Sequence, residues 1–540
     1  MNLLTRKFPS SWIGLLISFS MIGSVTIGAQ AADTPYRHTI VDSFAEGAGG
    51  GSEVHALPED IVQKIINNVE TDWRQMRKKC DSYSSGDCAQ ADTAYSLRFY
   101  LPPCDARITS YCIESLAVSD GVGGPLVTGS YNGLVDGKTF DAVAERGLPD
   151  ASTASRWSIS GVKHSGGSDG YAVKVLVDAF KSGSSKDLYL FDVTAIVEPF
   201  TESKSVQGQS DDSCTSFKLK EICAKRVDFV EKQRVALTLR LPNTVTGWLN
   251  GRLKNADIKI DPIDLKVNRI RVEAEPVVVP EVSVSLTKEQ FDALPDPSFF
   301  LRQGEIWNSV NAGNPIALEW IKQLVAVMKD TASGEHSSWA FSTVGGRQSN
   351  DCFNDKTRLI GLVTTNAAVY SPGAPDFSND SLNYKVGGLH YRPDGKSLTV
   401  GTYDLLMRSD VARCLYRFTN APLSASVAVV DDSGSEKRIE TTFLNEKDGW
   451  LHLGAYGFSF SRPTLRVKLT GTRQGGSTSA SPSSSSSNSK TSDSKASDSK
   501  ASNSKSSKKS VSYTMTCKKG KVTKKFITAL PNCPGGWKKV

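Results

Sequence analysis

Between residues 92 and 275, apolar and polar side chains alternate with a period of two. The segments YSLRFYL, RWSISGV, YAVKVLVDAF, DLYLFDVTAIVEPF, RVALTLRL and DLKVNRIRVEA alternate in this way or run through β-branched and aromatic residues. Successive side chains of a strand point to opposite faces, so each segment can bury one face and wet the other. Clusters of Gly, Asn, Asp and Ser separate the segments, and Asp169-Gly170 in KHSGGSDGYAV suits a tight turn. Strands do not alternate regularly with helices, which argues against a doubly wound α/β fold. A second strand-rich region runs from SWAFSTV at residue 338 to TLRVKLTG at 464.

Helical patterns precede both regions. Ile61, Val62, Ile65, Ile66, Val69, Trp73 and Met76 recur at intervals of three and four. They predict one amphipathic helix over 58–79, opening on Pro58, Glu59 and Asp60. Thr287-Lys-Glu-Gln reads as a capping box for a short helix through Leu294. Ile316, Trp320, Ile321, Leu324, Val327 and Met328 share one face of a helix over 315–330. Pro276 and Pro280 flank a valine run that marks a boundary. The expected fold class is mainly β with a few helices (α+β). Two antiparallel β-sandwich-like domains, 56–280 and 281–474, are each preceded by an amphipathic helix.

The N-terminus predicts export from the cell. Arg6 and Lys7 precede an uncharged run over 13–29, and Ala29-Gln30-Ala31 fits a cleavage site. Residues 1–31 read as a secretory signal peptide, and the Gly-rich segment 32–55 as flexible. No later stretch is long and apolar enough to span a bilayer. Ten cysteines agree with an oxidising destination. Their spacing suggests sequential pairing: Cys80 with Cys88, Cys104 with Cys112, Cys214 with Cys223, Cys352 with Cys414, and Cys517 with Cys533. A nested pairing of the first four is the rival, because spacing alone does not fix connectivity. No C-x2-C pair occurs and no His sits at ligand spacing from a cysteine, so no metal or cofactor is expected.

The net charge of +7 is unevenly placed. Residues 1–31 contribute +2 and residues 476–540 contribute +11, leaving the body at −6. Nucleic acid is disfavoured as a partner of an acidic body. Residues 475–512 form a Ser/Lys-rich linker with no apolar side chain larger than Ala or Pro before Val511. Such a segment cannot build a core, and as a flexible coil it spans about 35 Å. Residues 513–540 follow as a small basic tail, expected to be a disulfide-stapled hairpin, because so short a unit needs a staple. Lys518, Lys519, Lys521, Lys524, Lys525, Lys538 and Lys539, with Trp537, make it a cationic knob suited to an anionic envelope polymer or lipid headgroups. The pattern of Thr516, Cys517, Lys519, Gly520, Lys521, Lys524, Lys525, Pro531, Cys533, Pro534, Gly536, Trp537 and Lys538 resembles the C-termini of uncharacterised exported actinobacterial proteins. That resemblance implies export and no particular activity.

Catalytic signatures are scarce. H-E-x-x-H, Walker, G-x-S-x-G and EF-hand patterns do not occur. The histidines at 38, 55, 164, 336, 390 and 452 are scattered and read as structural. Asp376/Asp380 and Asp431-Asp432 read as turn residues rather than calcium ligands. Trp157, Trp248, Trp339 and Trp450 could stack on sugars if exposed; filling cores is the preferred reading. The expected function is therefore a secreted protein retained at the cell surface, acting as a binding or structural envelope component. The alternative is an extracellular hydrolase of polysaccharide or peptidoglycan, with possible carbohydrate contact.

Overall fold

The alternating segments assemble around one large mixed sheet. A computed structural model describes residues 36–470 and, in the tail, 513–519, 522–528 and 538–539. Within 36–470 it leaves aside 43, 45–50, 68, 70, 91, 122, 205–213, 303–308, 345–349, 354, 356–357, 372, 418–423, 431–435, 439–440 and 461–463. The strands used below are β1 (Tyr36–Val41), β2 (Glu53–Leu57), β3 (Ala94–Tyr100), β4 (Gly170–Lys181), β5 (Tyr189–Lys204), β6 (Gly247–Arg252), β7 (Val277–Leu286), β8 (Ser309–Asn311), β9 (Gly334–Val344), β10 (Leu359–Thr365), β11 (Val400–Arg408), β12 (Thr441–Lys447) and β13 (Trp450–Ser459). Helices are α1 (Glu59–Ile66), α2 (Lys288–Asp292), α3 (Pro297–Arg302), α4 (Ala317–Leu324) and α5 (Ser409–Tyr416). The chain is mainly β with these few helices, as its periodicity requires.

The middle of the large sheet is buried on both faces. On one side Val173, Val175, Val177, Ala195, Val197, Leu249, Trp339, Phe341 and Leu362 meet a second, five-stranded sheet. That sheet supplies Leu116, Val235, Leu237, Leu239, Ile270 and Val272. On the other side Trp248, Ala340, Val363, Tyr403, Leu405 and Met407 meet α4 and a third sheet carrying Leu382, Tyr384, Val386, Val467 and Leu469. Every residue of β10 is buried, which explains its unbroken LIGLVTT run.

Strands on both sides of residue 280 share this sheet. β5 pairs with β9 through Thr194–Val197, and β6 pairs with β9 antiparallel and with β10 parallel. β1 lies antiparallel to β7 and parallel to β8. The described residues from 36 to 470 form one compact unit, and the tail strands form another. The boundary expected at 280 therefore does not divide two sandwiches; the layers are shared, and not all pairings are antiparallel. Periodicity reports that a strand has a buried face, not which distant strand covers it.

Three local expectations also change. The helix expected over 58–79 stops at Ile66, closed by Asn67. A 3-10 turn follows at Arg74–Met76, and then a short strand, Lys78–Lys79, pairs with His55 and Ala56. Trp73 packs edge-on against Phe180, its ring centre 5.4 Å away, so it is used by a turn, whereas Val69 and Met76 are exposed. The segment 32–55, expected to be flexible, contributes β1 and β2. α5, not foreseen, buries Val411, Ala412, Leu415 and Tyr416. The Thr287 capping box forms as read: its hydroxyl accepts from the Gln290 amide, and the Gln290 side chain accepts from the Thr287 amide.

Four disulfides staple the body: Cys80–Cys88, Cys104–Cys112, Cys214–Cys223 and Cys352–Cys414. Cys533 lies outside the described residues. Three of these bridges close loops of eight or nine residues, whereas Cys352–Cys414 spans 62 and ties α5 to the turn before β10. On the chain-entropy model the long loop stabilises by about 2 kcal/mol more than a short one. Replacing Cys352 and Cys414 by Ser is expected to lower the urea midpoint clearly more than the same change at Cys80 and Cys88; equal losses would contradict the entropic account.

Candidate functional site

Three polar constellations are built into the large sheet, and all three stand where apolar runs are interrupted. The first is a pair of carboxylates. Asp178 in β4 lies directly opposite Asp192 in β5, and Arg98 in β3 flanks Asp178 on its other side. Like charges placed opposite one another in a sheet repel. Asp192 is held by hydroxyls: Ser342 and Thr343 each donate to Oδ1 at 2.7 Å, and Thr194 donates to Oδ2 at 3.0 Å. Burial pushes Asp178 up to about 6; Asp192 adds to the rise and Arg98 opposes it. Burial also raises Asp192, against the pull of its hydroxyl donors. The pair thus favours holding a proton, which gives it acid–base capacity near neutrality.

The second constellation is a file of alternating charges. Arg252, fully buried at the end of β6, donates to Asp42 Oδ1 at 3.2 Å. The other Asp42 oxygen lies 3.4 Å from His336 Nε2, and His336 Nδ1 is 3.0 Å from Glu281 Oε1. Arg226 lies 3.9 Å from Glu198, which also accepts from the buried Lys174 at 2.7 Å and from Ser216 at 3.2 Å. Burial alone would lower the His336 pKa; hydrogen bonds to Asp42 and Glu281 outweigh it and raise the value. Burial would raise Asp42, but Arg252 and His336 hold it far below the usual carboxylate range. A shallow depression lined by Phe44, Ile196, Glu198, Arg226, Phe229 and Ser338 lies alongside.

The third centres on Asp404 in β11, which is fully buried. Its Oδ1 is 2.8 Å from His452 Nε2 and accepts from the Tyr456 hydroxyl at 2.7 Å; Oδ2 accepts from the Asn255 amide at 3.1 Å. His452 and Tyr456 straddle Gly454 in β13, and Gly454 faces Asp404 on one side and Phe443 of β12 on the other. A Cβ on Gly454 would come within 2.1 Å of the Phe443 ring, so glycine is what lets that ring close over the group. Burial raises the Tyr456 phenol strongly, and the neighbouring Asp404 charge adds to the rise. Tyr456 therefore remains a neutral donor.

The remaining candidates are in structural settings. His164 is buried, its Nδ1 accepting from the Gly166 amide at 3.1 Å and its Nε2 lying 2.7 Å from the Ser168 hydroxyl. His55 is buried, and the His390 amide donates to Asp330. Trp157, Trp248 and Trp339 are buried, and Trp450 packs against the core, so none offers an open stacking face. Asp376, expected in a turn, opens the short strand Asp376–Ser378 and accepts from the Ser378 hydroxyl, whereas Asp380 adopts a left-handed turn conformation; Asp431 and Asp432 lie outside the described residues. Among the described residues no three His, Cys, Asp or Glu side chains gather as a metal site would need, and no helix is long and apolar enough to cross a membrane.

In the tail the backbone of Tyr513–Lys519 pairs with Val522–Thr528 and with Lys538–Lys539. Lys518, Lys519, Lys524, Lys525, Lys538 and Lys539 thus fall on strands, while Lys521 and Trp537 lie outside the described residues. Sequence reasoning did not single out Asp42, Asp178, Asp192, Glu281 or Asp404. The available signal is an acid inside an apolar strand, as in VLVDAF, LFDVTAI and TYDLLM. No protein-family model matches the chain, and no curated protein shows significant similarity to it.

The raised Asp178 has a definite sign. A carboxyl whose folded pKa is raised adds stability below its unfolded value near 3.8 and loses it as pH climbs through about 6. Asp178→Asn is therefore expected to raise the melting temperature at pH 8 relative to the parent, with a smaller change at pH 4. Thermal unfolding followed by circular dichroism checks this; a shift of the same size at both pH values would refute it.

Proposed function

We propose that this chain is an exported protein of the cell surface, whose body binds a partner or acts as a structural envelope component. Its Lys-rich tail holds it to an anionic polymer or to lipid headgroups. The observation that carries this reading is the tail register. Lys518 stands directly opposite Lys538, and Cys517 lies between Lys524 and Lys539. Like charges at opposed positions destabilise a sheet, and a bound polyanion removes that penalty. The body, at −6, supplies no competing positive field. The four disulfides of the body suit an oxidising location.

Deleting residues 513–540 and fractionating the producing cells tests the retention. The expected result is movement from the surface fraction into the medium, with the intact protein released by high salt as screening weakens the attraction. An unchanged partition at both low and high salt would overturn it. The Asp178–Asp192 pair favours a second reading, an extracellular hydrolase of polysaccharide or peptidoglycan. Opposed carboxylates, one titrating near 6, are suited to general acid chemistry on a glycosidic bond. On that reading purified protein releases soluble fragments from cell-wall polysaccharide, and Asp178→Asn and Asp192→Asn each reduce the rate by at least 100-fold. No release by the parent protein removes this second reading and leaves the first untouched.

A further inference from the structure

The N-terminal strand β1 carries one histidine and is fastened at its end to another, and the two sit in opposite electrostatic settings. His38, in the middle of β1, is 1% exposed. It pairs in register with Val284 of β7 and is enclosed by Phe291 of α2, Phe300 of α3 and Trp320 of α4, with ring centres 5.7, 4.4 and 5.6 Å away. Both of its ring nitrogens lack a hydrogen-bond partner among the described residues, and so does Trp320 Nε1. Among the described residues no charged side chain acts on the His38 ring. A second proton on the ring would place a cation with no hydrogen-bond acceptor among the described residues in a buried aromatic site, which disfavours docking unless the strand leaves.

His336 presents the reverse case. It lies on β9 with Asp42, which follows β1, on one nitrogen and Glu281 of β7 on the other. The charged groups around it are those two carboxylates, Arg226 on the strand Ile222–Arg226, and Arg252 of β6 acting through Asp42. A neutral imidazole carries one N–H and can donate to only one of two carboxylates; the imidazolium donates to both. Protonated His336 therefore bridges the end of β1 to β7, and the neutral ring gives up one of the two bonds.

We propose that β1 is a pH-gated strand, docked between β7 and β8 in a middle range of pH and released on either side: on the acid side by protonation of His38, on the alkaline side by deprotonation of His336. The direction of each arm follows from linkage. A buried neutral His is harder to protonate than a free one, so docking weakens as pH falls below the free-imidazole value. A His that gains carboxylate partners is easier to protonate, so its contribution is complete below the free value and is lost as pH rises through the folded one. Each arm changes the docking equilibrium by about tenfold per pH unit between the docked and free pKa values. Release uncovers the edge of β7 over Val282–Leu286, which β1 otherwise pairs.

Hydrogen exchange by mass spectrometry on the full chain, corrected for the intrinsic pH dependence of exchange, tests this. Protection of 36–41 should peak at intermediate pH and fall at least tenfold on each side, while the central strand Val235–Pro242 stays constant. His38→Phe, which fills the box with a ring that cannot titrate, should flatten the acid arm and keep the alkaline one. His336→Gln should flatten the alkaline arm and keep the acid one, and Glu281→Gln should weaken the alkaline arm in a milder background. Constant protection of Val235–Pro242 certifies that each variant is folded. If β1 and Val235–Pro242 lose protection together, or if either histidine variant leaves its own arm unchanged, the proposal fails.

Discussion

Three separate segments of the body are fastened together by a guanidinium that water does not reach. Arg252 sits at the end of β6 with no exposed surface. Its Nε reaches Asp42, its Nη1 donates to the carbonyls of Thr365 and Ala367 at 3.1 and 2.6 Å, and its plane lies over the Tyr370 ring at 4.6 Å. Removing such a charge from water costs several kcal/mol, which a carboxylate, two carbonyls and an aromatic face together offset. One side chain thereby joins the end of the N-terminal strand, the end of β10 and the loop that follows it. A lysine could not do this, because a single ammonium lacks the planar fork that points at three separate partners.

That fastening is what makes the shared middle sheet workable. A sheet covered on both faces has no solvent side on which to place polar residues, so its charges must be paired within the layer. The file from Lys174 through Glu198, Arg226, Glu281, His336 and Asp42 to Arg252 does this with alternating sign. Asp404 does it with a histidine, a tyrosine and a backbone amide. Asp178 and Asp192 are the exception, since two acids face each other and three hydroxyls support only one of them. A protein keeps such opposed carboxylates at a cost in stability, which is why that pair carries the enzymatic reading although the tail carries the favoured one.

Much of the architecture was legible in the chain itself. Period-two patterns located β3, β4, β5 and two strands of the five-stranded sheet, Val235–Pro242 and Val267–Glu275, because one-sided burial imposes that period on the residues concerned. The Thr287 box and the Trp320 face of α4 were legible because capping and helical burial act within one turn or one face. The end of α1 at Ile66 was not, because Trp73 has the spacing of a helical residue and is used by a turn against Phe180. The candidate sites were least legible. His336 meets Glu281 across 55 positions and Asp42 across 294, and Asp404 meets His452 across 48. No local pattern encodes distances of that kind.

By itself the sequence determined the β-rich class and the acidic body with its basic tail, since both depend on composition or near neighbours, and it left sequential and nested pairings of the first four cysteines open until the structure showed the sequential one. Only the tertiary structure decided that residues on both sides of position 280 build the same sheet, that the tryptophans fill cores, and that isolated acids and histidines become pairs. Those outcomes depend on which faces meet, and faces meet through pairings between strands far apart in the chain, whose choice rests on the summed fit of many side chains rather than on any short stretch of them.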